Sequence, residues 1–392
     1  MTREFGFATR AVHVGQGIDK DSRAVRRPIT LANSFAFPED PEALASLGWS
    51  SVGINIYTRN GGVNQKYLEE KLASLHGAED CVVLASGVAA LHGLFFSLLR
   101  SGDHVVVADT TYIAVYRLLN ELFPERFNIT STLVDASDPE NVRAAMRPNT
   151  KLVHIEPIAN PTVKITDVRA VAEIAHAGGA LLSVDNTFSS PANQRPLEQG
   201  ADFVVESLTK YINGHGDSLG GAVLGSAQLL SDIRLNSQVN VGGVISPFAA
   251  WLIMRGAATL PLRMERVNAT ALTVARWLEG FSGTRFVWYP GLESTPGHAV
   301  AAGEMSGFGG VIAFDFDISQ EAHLEILQHF KVIVPAVSLG HDESLIAPMP
   351  PDDERMPLYP VPHQKGFFRF AIGLEDADDI IWDLEQAYRA VV

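Results

Sequence analysis

The stretch DFVVESLTKYINGHGDSLGGAVLG, residues 202–225, decides how this chain folds and where its chemistry lies. An apolar run leads directly to Lys210, and a glycine-rich turn at 214–217 then leads into a second apolar run at 220–224. Burial disfavours an ammonium ion and lowers its pKa. A lysine between two buried strands is therefore suited to act as a neutral amine, whose commonest use is an imine with a carbonyl compound. The stretch alone is equally consistent with a surface lysine at a strand edge.

Composition limits the class of protein. At 392 residues, with 46% hydrophobic and 19% charged side chains, the chain can fill one large or two medium folded domains. It has 30 basic and 45 acidic residues, a formal net charge of −15. This balance disfavours nucleic acid and anionic membrane surfaces as partners. An anionic cofactor then has to be held by local hydrogen-bond donors.

The single cysteine, Cys81, excludes a disulfide framework and a cysteine metal cluster, and we predict no metal site. The N-terminus, MTREFGFATR, has no apolar signal region, and no run approaches the roughly 18 apolar residues that a membrane span needs. We therefore expect a cytoplasmic protein.

Short apolar runs alternate with helical patterns through the middle of the chain. Helices are predicted between most of these runs, for example at 88–99, 139–146 and 167–176. This alternation predicts an α/β fold with a mainly parallel seven-stranded sheet between helices, with function at the carboxyl ends of the strands. The predicted strands are 81–85, 104–109, 129–135, 151–156, 180–185, 202–207 and 221–225.

Three regions are predicted from the change in pattern along the chain. Residues 1–60 lack steady periodicity and are predicted to form an arm that lies on another part of the assembly. Residues 61–258 carry the large sheet, and 259–392 form a smaller α+β domain. Within the latter, 347–362 holds six prolines and is predicted to be a surface loop.

Polar residues stand at several strand ends. Gly87 opens a helix whose backbone N–H groups suit a phosphate, Asp185 closes an apolar strand, and Glu156 and Asn160 flank a proline-rich turn. Each alone is equally well explained as a turn, a cap or a backbone partner. Together with Lys210 they fit pyridoxal 5'-phosphate: lysine for the aldehyde, aspartate for the ring nitrogen and a helix N-terminus for the phosphate.

Motifs along nearly the whole chain resemble the cysteine/methionine-metabolism family of pyridoxal-phosphate enzymes, which includes methionine γ-lyase, cystathionine γ-synthase, cystathionine lyases and O-acetylhomoserine sulfhydrylase. The resemblance implies the fold type I transferase architecture, with 61–258 as the cofactor-binding domain. The motifs are FATRAVHVGQ (7–16), YTR (57–59), LASGVAAL (84–91), EPIANP (156–161), VDNTF (184–188), SLTKYINGHGD (207–217), VSLGHDESL (337–345) and FRFAIGLED (368–376).

The resemblance also implies roles for individual residues. Lys210 would be the Schiff-base lysine and later the proton carrier, Asp185 would pair with the ring nitrogen, and Tyr112 would stack on the ring and exchange protons at the γ-position. Arg369 would clamp the substrate carboxylate. The remaining implied binding residues are Gly87, Val88, Ser207 and Thr209 for the phosphate, and Asn160, Ser338 and Tyr57 beside cofactor and substrate.

By the same resemblance, Tyr57 and Arg59 of the arm would reach the phosphate of a neighbouring subunit. A site shared in this way requires at least a dimer, and we expect a homotetramer built from active dimers. No other macromolecular partner is expected.

The reaction expected is elimination or replacement at Cβ or Cγ of an amino acid. Ile56 and Val337 are apolar where family members that recognise a second amino-acid head group often carry acids. This favours methionine-like or acyl-homoserine-like substrates, and we expect γ-elimination. His341 is followed by the acids Asp342 and Glu343, and 352–354 are also acidic; these acids suggest instead a polar γ-substituent such as that of canavanine, unless they form a solvated loop. A γ-replacement enzyme acting on an activated homoserine, and a non-catalytic protein on the same fold, are the alternatives.

Overall fold

The computed structural model describes residues 5–46, 56–352 and 354–392. Two β-sheets organise these residues, and helices cover both of them. The helices are α1 (Phe7–His13), α2 (Pro41–Ala45), α3 (Val63–His76), α4 (Gly87–Leu98), α5 (Ile113–Arg117), α6 (Phe123–Phe127), α7 (Pro139–Ala145), α8 (Val168–Ala177), α9 (Ser190–Asn193), α10 (Ala227–Ile233), α11 (Pro247–Ala257), α12 (Leu260–Gly280), α13 (His298–Glu304), α14 (Gln320–Glu325) and α15 (Ala377–Arg389).

The larger sheet has seven strands, in the order β1-β7-β6-β5-β4-β2-β3. Strands β2 to β6 pair in parallel, whereas β7 runs antiparallel to both β6 and β1. The prediction of a mainly parallel seven-stranded sheet is therefore confirmed. Its strands are β1 (Asp80–Leu84), β2 (His104–Ala108), β3 (Thr130–Val134), β4 (Thr150–Ile155), β5 (Leu181–Asp185), β6 (Phe203–Glu206) and β7 (Gly221–Gly225).

The strands of this sheet are apolar on both faces because helices cover both faces. Successive side chains of a strand point to opposite sides. In β2, Val105 and Val107 pack with Phe95 of α4, whereas Val106 packs with Val171 of α8. This double burial explains why the strands appear in the sequence as continuous hydrophobic runs.

The second sheet has five strands in the order β10-β11-β12-β9-β8, and α12 and α15 pack on it. All its pairs are antiparallel except β10 with β11. This smaller α+β unit was predicted, although its boundaries and that of the arm, at 60/61 and 258/259, stay a prediction. The strands are β8 (Thr284–Trp288), β9 (Val311–Phe316), β10 (Val334–Pro335), β11 (Leu345–Met349) and β12 (Phe367–Ala371).

The prediction that 347–362 forms a surface loop is wrong in two respects. Its first residues belong to β11, which pairs with β12. Further along, Met356 and Tyr359 are 4% and 3% exposed and belong to the same hydrophobic core as the large sheet. Two short 3-10 helices, Met356–Leu358 and Val361–Lys365, form in this part of the segment, which therefore packs on the core instead of extending into solvent.

The beginning of the arm packs against its own chain. The Lys71 ammonium of α3 donates to the Ala11 carbonyl of α1, and Arg10 donates to the Ser74 carbonyl. Further along, the indole N–H of Trp251 donates to the Arg27 carbonyl at 3.0 Å. The arm is thus attached to α3 near its start and to α11 at Arg27. Its contact with a neighbouring subunit stays a prediction.

Candidate active site

A cavity of about 520 Å³ opens at the carboxyl ends of the parallel strands and reaches the second sheet. This is the edge where α/β sheets bind their ligands. All predicted site residues line it except Tyr57 and Arg59: these are Gly87, Val88, Tyr112, Asn160, Asp185, Ser207, Thr209, Lys210, Ser338 and Arg369.

Lys210 lies in the turn that follows β6. Its ammonium donates to the Ser338 hydroxyl at 2.6 Å, across the boundary between the two sheets. Burial, and secondarily the nearby charge of Arg369, lowers the pKa of Lys210 to about 8. A large fraction of this amine is therefore neutral near pH 8, which a nucleophile toward a carbonyl requires.

The turn after Lys210 needs glycine at one position. Gly214 has φ +70, and a Cβ there would lie 1.9 Å from the Arg263 guanidinium, which is packed against this turn. Arg263 donates to the Tyr211 carbonyl at 2.6 Å and to the Ile212 carbonyl at 3.3 Å. The turn is thus held from behind by a buried cation, and the lysine is fixed at the cavity wall.

Asp185 ends β5 inside the cavity. Its Oδ1 accepts the Thr187 hydroxyl at 2.5 Å and the Thr187 backbone N–H at 3.1 Å. The same hydroxyl accepts the Ser207 N–H at 2.9 Å, so β6 and β5 fix the carboxylate together. Burial raises the pKa of Asp185. A cation beside it would counter this effect, which suits the protonated nitrogen of a pyridine ring.

The start of α4 faces the end of β6. Ser86 caps the helix, its hydroxyl accepting the Ala89 N–H at 3.1 Å. A Cβ on Gly87 would lie 2.9 Å from the Ser207 side chain, so only glycine allows this close approach. Together with the helix N-terminus, this forms a small cradle of donors for an anion. Thr209 lies beside it, with its hydroxyl bonded to the Gly220 N–H at 3.2 Å.

Arg369 enters the cavity from β12. It donates to Asn160 Oδ1 at 3.2 Å and to the Ser338 carbonyl at 2.8 Å. Its Nε is buried and has no hydrogen-bond partner among residues 5–46, 56–352 and 354–392. A guanidinium with an unsatisfied donor at a cavity wall is suited to a carboxylate ligand.

Tyr57 and Arg59 lie away from this cavity. Arg59 donates to the Val239 carbonyl at 2.8 Å and lies 5.6 Å from the Tyr57 ring. Tyr57 is 41% exposed. The structure therefore does not bring these residues to the Lys210 of their own chain.

The acids that suggested a polar substrate also lie outside the cavity. His341 faces Glu343 at 3.9 Å and packs against Gly216 of the turn after Lys210. Asp352 and Glu354 line a separate depression on the surface, and Asp353 lies outside the described residues. The described carboxylates that line the cavity are Glu156 and Asp185.

No role in the site was predicted for Glu156, Thr187 or Arg355, although all three line the cavity. Glu156 and Thr187 could have been found from their position in EPIANP and VDNTF, next to predicted site residues. Arg355 lies within the segment 347–362 that was predicted to be a surface loop. In the described ranges, no group of three or more His, Cys, Asp or Glu side chains is arranged to hold a metal ion.

Fold and site together define a pyridoxal-phosphate enzyme, and comparison with known proteins agrees. The sequence model of the family described as Cys/Met metabolism PLP-dependent enzyme matches residues 8–389, and the chain belongs to this family. The predictions of family, fold class and cofactor are thereby confirmed.

The individual relatives indicate the reaction class within this family. A canavanine γ-lyase from Rhizobium leguminosarum is 50% identical over 97% of this chain and 95% of its own length. An L-methionine γ-lyase from Treponema denticola is 38% identical over 99% of this chain and 98% of its own. The crystal structure of metB from Corynebacterium glutamicum superimposes with a TM-score of 0.90, at 37% identity and 99% coverage of both chains. These relatives bear out the predicted γ-lyase.

The residues of the cavity fit the cofactor that the family requires. Lys210 offers an amine with a lowered pKa, Asp185 a buried carboxylate, and Gly87 leaves the space at the helix start that a side chain would fill. None of the described helices is long and apolar enough to cross a membrane.

Proposed function

We propose that this chain eliminates the γ-substituent of an L-amino acid, and that canavanine is its substrate. The observation that carries the proposal is the cavity in which Lys210, Asp185 and Arg369 converge. Beyond these groups its wall is largely apolar, with Ile113 and Val337 among the lining residues. The choice of canavanine rests on the 50% identity to a canavanine γ-lyase.

The proposed mechanism assigns a task to each of these groups. Bound pyridoxal phosphate supplies an electron sink for charge that develops at Cα and then at Cβ. The Arg369 guanidinium binds the α-carboxylate, and the Lys210 amine takes the proton from Cα and later delivers protons. Asp185 holds the proton on the ring nitrogen, and the Tyr112 hydroxyl serves the departing γ-group.

Phosphate binding is assigned to the cradle at the start of α4, with Gly87, Val88, Ser207 and Thr209. Asn160 and Ser338 assist by holding Arg369, to which both are bonded. The Ser338 hydroxyl also accepts the Lys210 ammonium at 2.6 Å. The same serine therefore connects the carboxylate clamp to the proton carrier.

The overall reaction balances as canavanine plus water giving N-hydroxyguanidine, 2-oxobutyrate and ammonia. The test is a screen in which 2-oxobutyrate and N-hydroxyguanidine are measured for canavanine, methionine, homocysteine, cystathionine and O-acetylhomoserine. We expect kcat/KM for canavanine to exceed that for methionine by about tenfold or more. Absence of both products from canavanine overturns its assignment. Product that forms from O-acetylhomoserine only with an added thiol identifies a γ-replacement enzyme instead.

We further propose that Tyr57 and Arg59 complete the site of a neighbouring copy, in a homotetramer of active dimers located in the cytoplasm. Both residues are exposed, and neither lines the cavity of its own chain, which supports this proposal. The test mixes the inactive variants Arg59→Ala and Lys210→Ala under conditions that exchange subunits. A hybrid dimer contains one native site, so activity should reappear, whereas a mixture that stays inactive contradicts a shared site.

A further inference from the structure

Glu156 stands at the end of β4, on the cavity wall, with only 4% of its surface exposed. One carboxylate oxygen accepts the Thr111 hydroxyl at 2.8 Å and the Tyr112 backbone N–H at 2.6 Å. The other accepts the Asn160 backbone N–H at 2.8 Å. A single buried side chain therefore joins the loop after β2 to the loop after β4.

These contacts extend into a continuous chain of hydrogen bonds around the cavity. Asn160, held at its backbone by Glu156, accepts Arg369 at 3.2 Å through its side chain. Arg369 donates to the Ser338 carbonyl at 2.8 Å, and the Ser338 hydroxyl accepts Lys210 at 2.6 Å. Glu156 is the only member of this chain that also bonds to the backbone of Tyr112 among the residues described.

We infer that Glu156 is a positioning residue. It fixes the Tyr112 ring relative to Asn160 and Arg369, the pair that binds the substrate carboxylate. An amino acid bound at its α-carboxylate is thereby held in the correct orientation to the cofactor ring. This inference rests on the proposed assignment of Tyr112 to the ring and of Arg369 to the carboxylate. Glu156 itself does not touch the reacting atoms.

The chemistry of the contacts requires a carboxylate. Three donors converge on two oxygens, so an amide would turn its NH₂ group toward at least one donor and leave that donor unsatisfied. Aspartate keeps both oxygens but is shorter by one methylene, and it cannot reach both loops at the observed distances. Burial and the neighbouring Asp185 raise the pKa of Glu156, and a cation at the ring nitrogen would lower it again.

The charged and titratable groups near Glu156 come from several elements. Asp185 of β5 lies close enough to affect its pKa, and Tyr112 approaches from the loop after β2, beside the uncharged Thr111. Arg355 donates to the Thr111 carbonyl at 3.4 Å and lines the same cavity.

The experiment compares Glu156→Gln and Glu156→Asp with Asp383→Asn in the holoenzyme. Asp383 is an equally buried carboxylate that accepts the backbone N–H groups of Lys331, Val332 and Ile333 in the C-terminal unit. It therefore reports the effect of losing a structural carboxylate. The measurements are the affinity for glycine, from the change in the visible spectrum, the visible circular dichroism of the bound cofactor, KM, kcat and the unfolding temperature.

We expect both Glu156 variants to bind glycine about tenfold more weakly or worse, to raise KM by a similar factor with a smaller change in kcat, and to alter the visible circular dichroism. Asp383→Asn should lower only the unfolding temperature. If Glu156→Gln does not fold, Glu156→Asp decides the question, because it keeps the charge. Variants that change only the unfolding temperature overturn the inference. Because glycine has no γ-group, its binding tests Glu156 even if the proposed elimination fails.

Discussion

Lys71 and Lys210 lie in two different regions of the molecule, and both regions lower the pKa of a lysine. Lys71 is completely buried between α1 and α3, and Lys210 stands in the wall of the cavity. In both regions burial is the main cause that lowers the pKa of the lysine, to about 8 in each case. The secondary cause is an arginine in both, Arg26 for Lys71 and Arg369 for Lys210.

The difference lies in what surrounds the amine. Lys71 donates to the Ala11 carbonyl, a contact that attaches the arm to α3, and it lines none of the described cavities. Lys210 faces a cavity together with a buried carboxylate, Asp185, and a guanidinium, Arg369, whose Nε has no partner in the part of the chain that the structure describes. A shifted pKa therefore does not identify a functional lysine. Convergence of other polar groups on an accessible space does.

Replacing each lysine is the strongest test of this contrast. Lys210→Ala should lower kcat by a factor on the order of 10³ or more, because the proton carrier and covalent anchor are both removed. The visible absorption of bound pyridoxal phosphate should also disappear. Lys71→Met is the matched control and should keep both. Substantial turnover by Lys210→Ala would show that the anchor has been assigned to the wrong lysine.

Arg369→Lys tests whether the guanidinium at the cavity wall binds the substrate carboxylate. Lysine keeps the charge but lacks the planar fork, so kcat/KM should fall by about 10- to 100-fold, the equivalent of one or two charged hydrogen bonds. Arg285→Lys is the control, because Arg285 bonds Asp315 at 2.5 Å and two carbonyls of the same C-terminal unit without lining the cavity. An equal loss in both variants would attribute the effect to folding.

Much of this site could be predicted from the sequence because its residues follow apolar strands. In a parallel sheet the carboxyl ends of the strands meet at one edge, so Asp185 at the end of β5 and Lys210 after β6 are neighbours by topology. The role of Glu156 could not be predicted in the same way. Its partners Thr111 and Tyr112 lie 45 and 44 positions away, and their hydrogen bonds depend on loop geometry.

Strand β11 shows a second limit of the sequence. Pro348 argues against a strand because proline has no N–H to donate. The structure accommodates it because β10 pairs only with Leu345 and Ile346, so Pro348 lies beyond the end of β10 at an open edge. Strand β10 has only two residues, and we found no local pattern in the sequence that predicts where it ends.

The pKa of Lys210 predicts how fast the cofactor-free protein takes up pyridoxal phosphate. With a pKa of about 8, the neutral amine makes up about a tenth of the population at pH 7 and about nine-tenths at pH 9. The rate of uptake, followed by visible absorption, should therefore rise about tenfold between these pH values. Lys71→Met should show the same profile. A flat profile would mean that the amine is not the titrating group.

The smallest expected effect concerns Lys71 alone. Its pKa is about 8 in the folded protein and near 10.4 in the unfolded chain, so the unfolded chain binds more protons between these pH values. The contribution of Lys71 to stability therefore rises as pH increases from 8 to 10.4. In holoenzyme, where the cofactor occupies Lys210, the stability of the wild type relative to Lys71→Met should increase over this window.

Urea unfolding of the two proteins at pH 8 and pH 10 measures this difference. Lys71→Met also loses the hydrogen bond to Ala11, which costs about 1 kcal/mol at either pH. This loss does not alter how the stability difference between the two proteins changes with pH. Turnover should stay unchanged, because Lys71 is not among the described residues that line the cavity. A difference in stability that does not change with pH would show that this amine keeps its ordinary pKa. Of the two lysines, only Lys210 at the cavity would then have a lowered pKa.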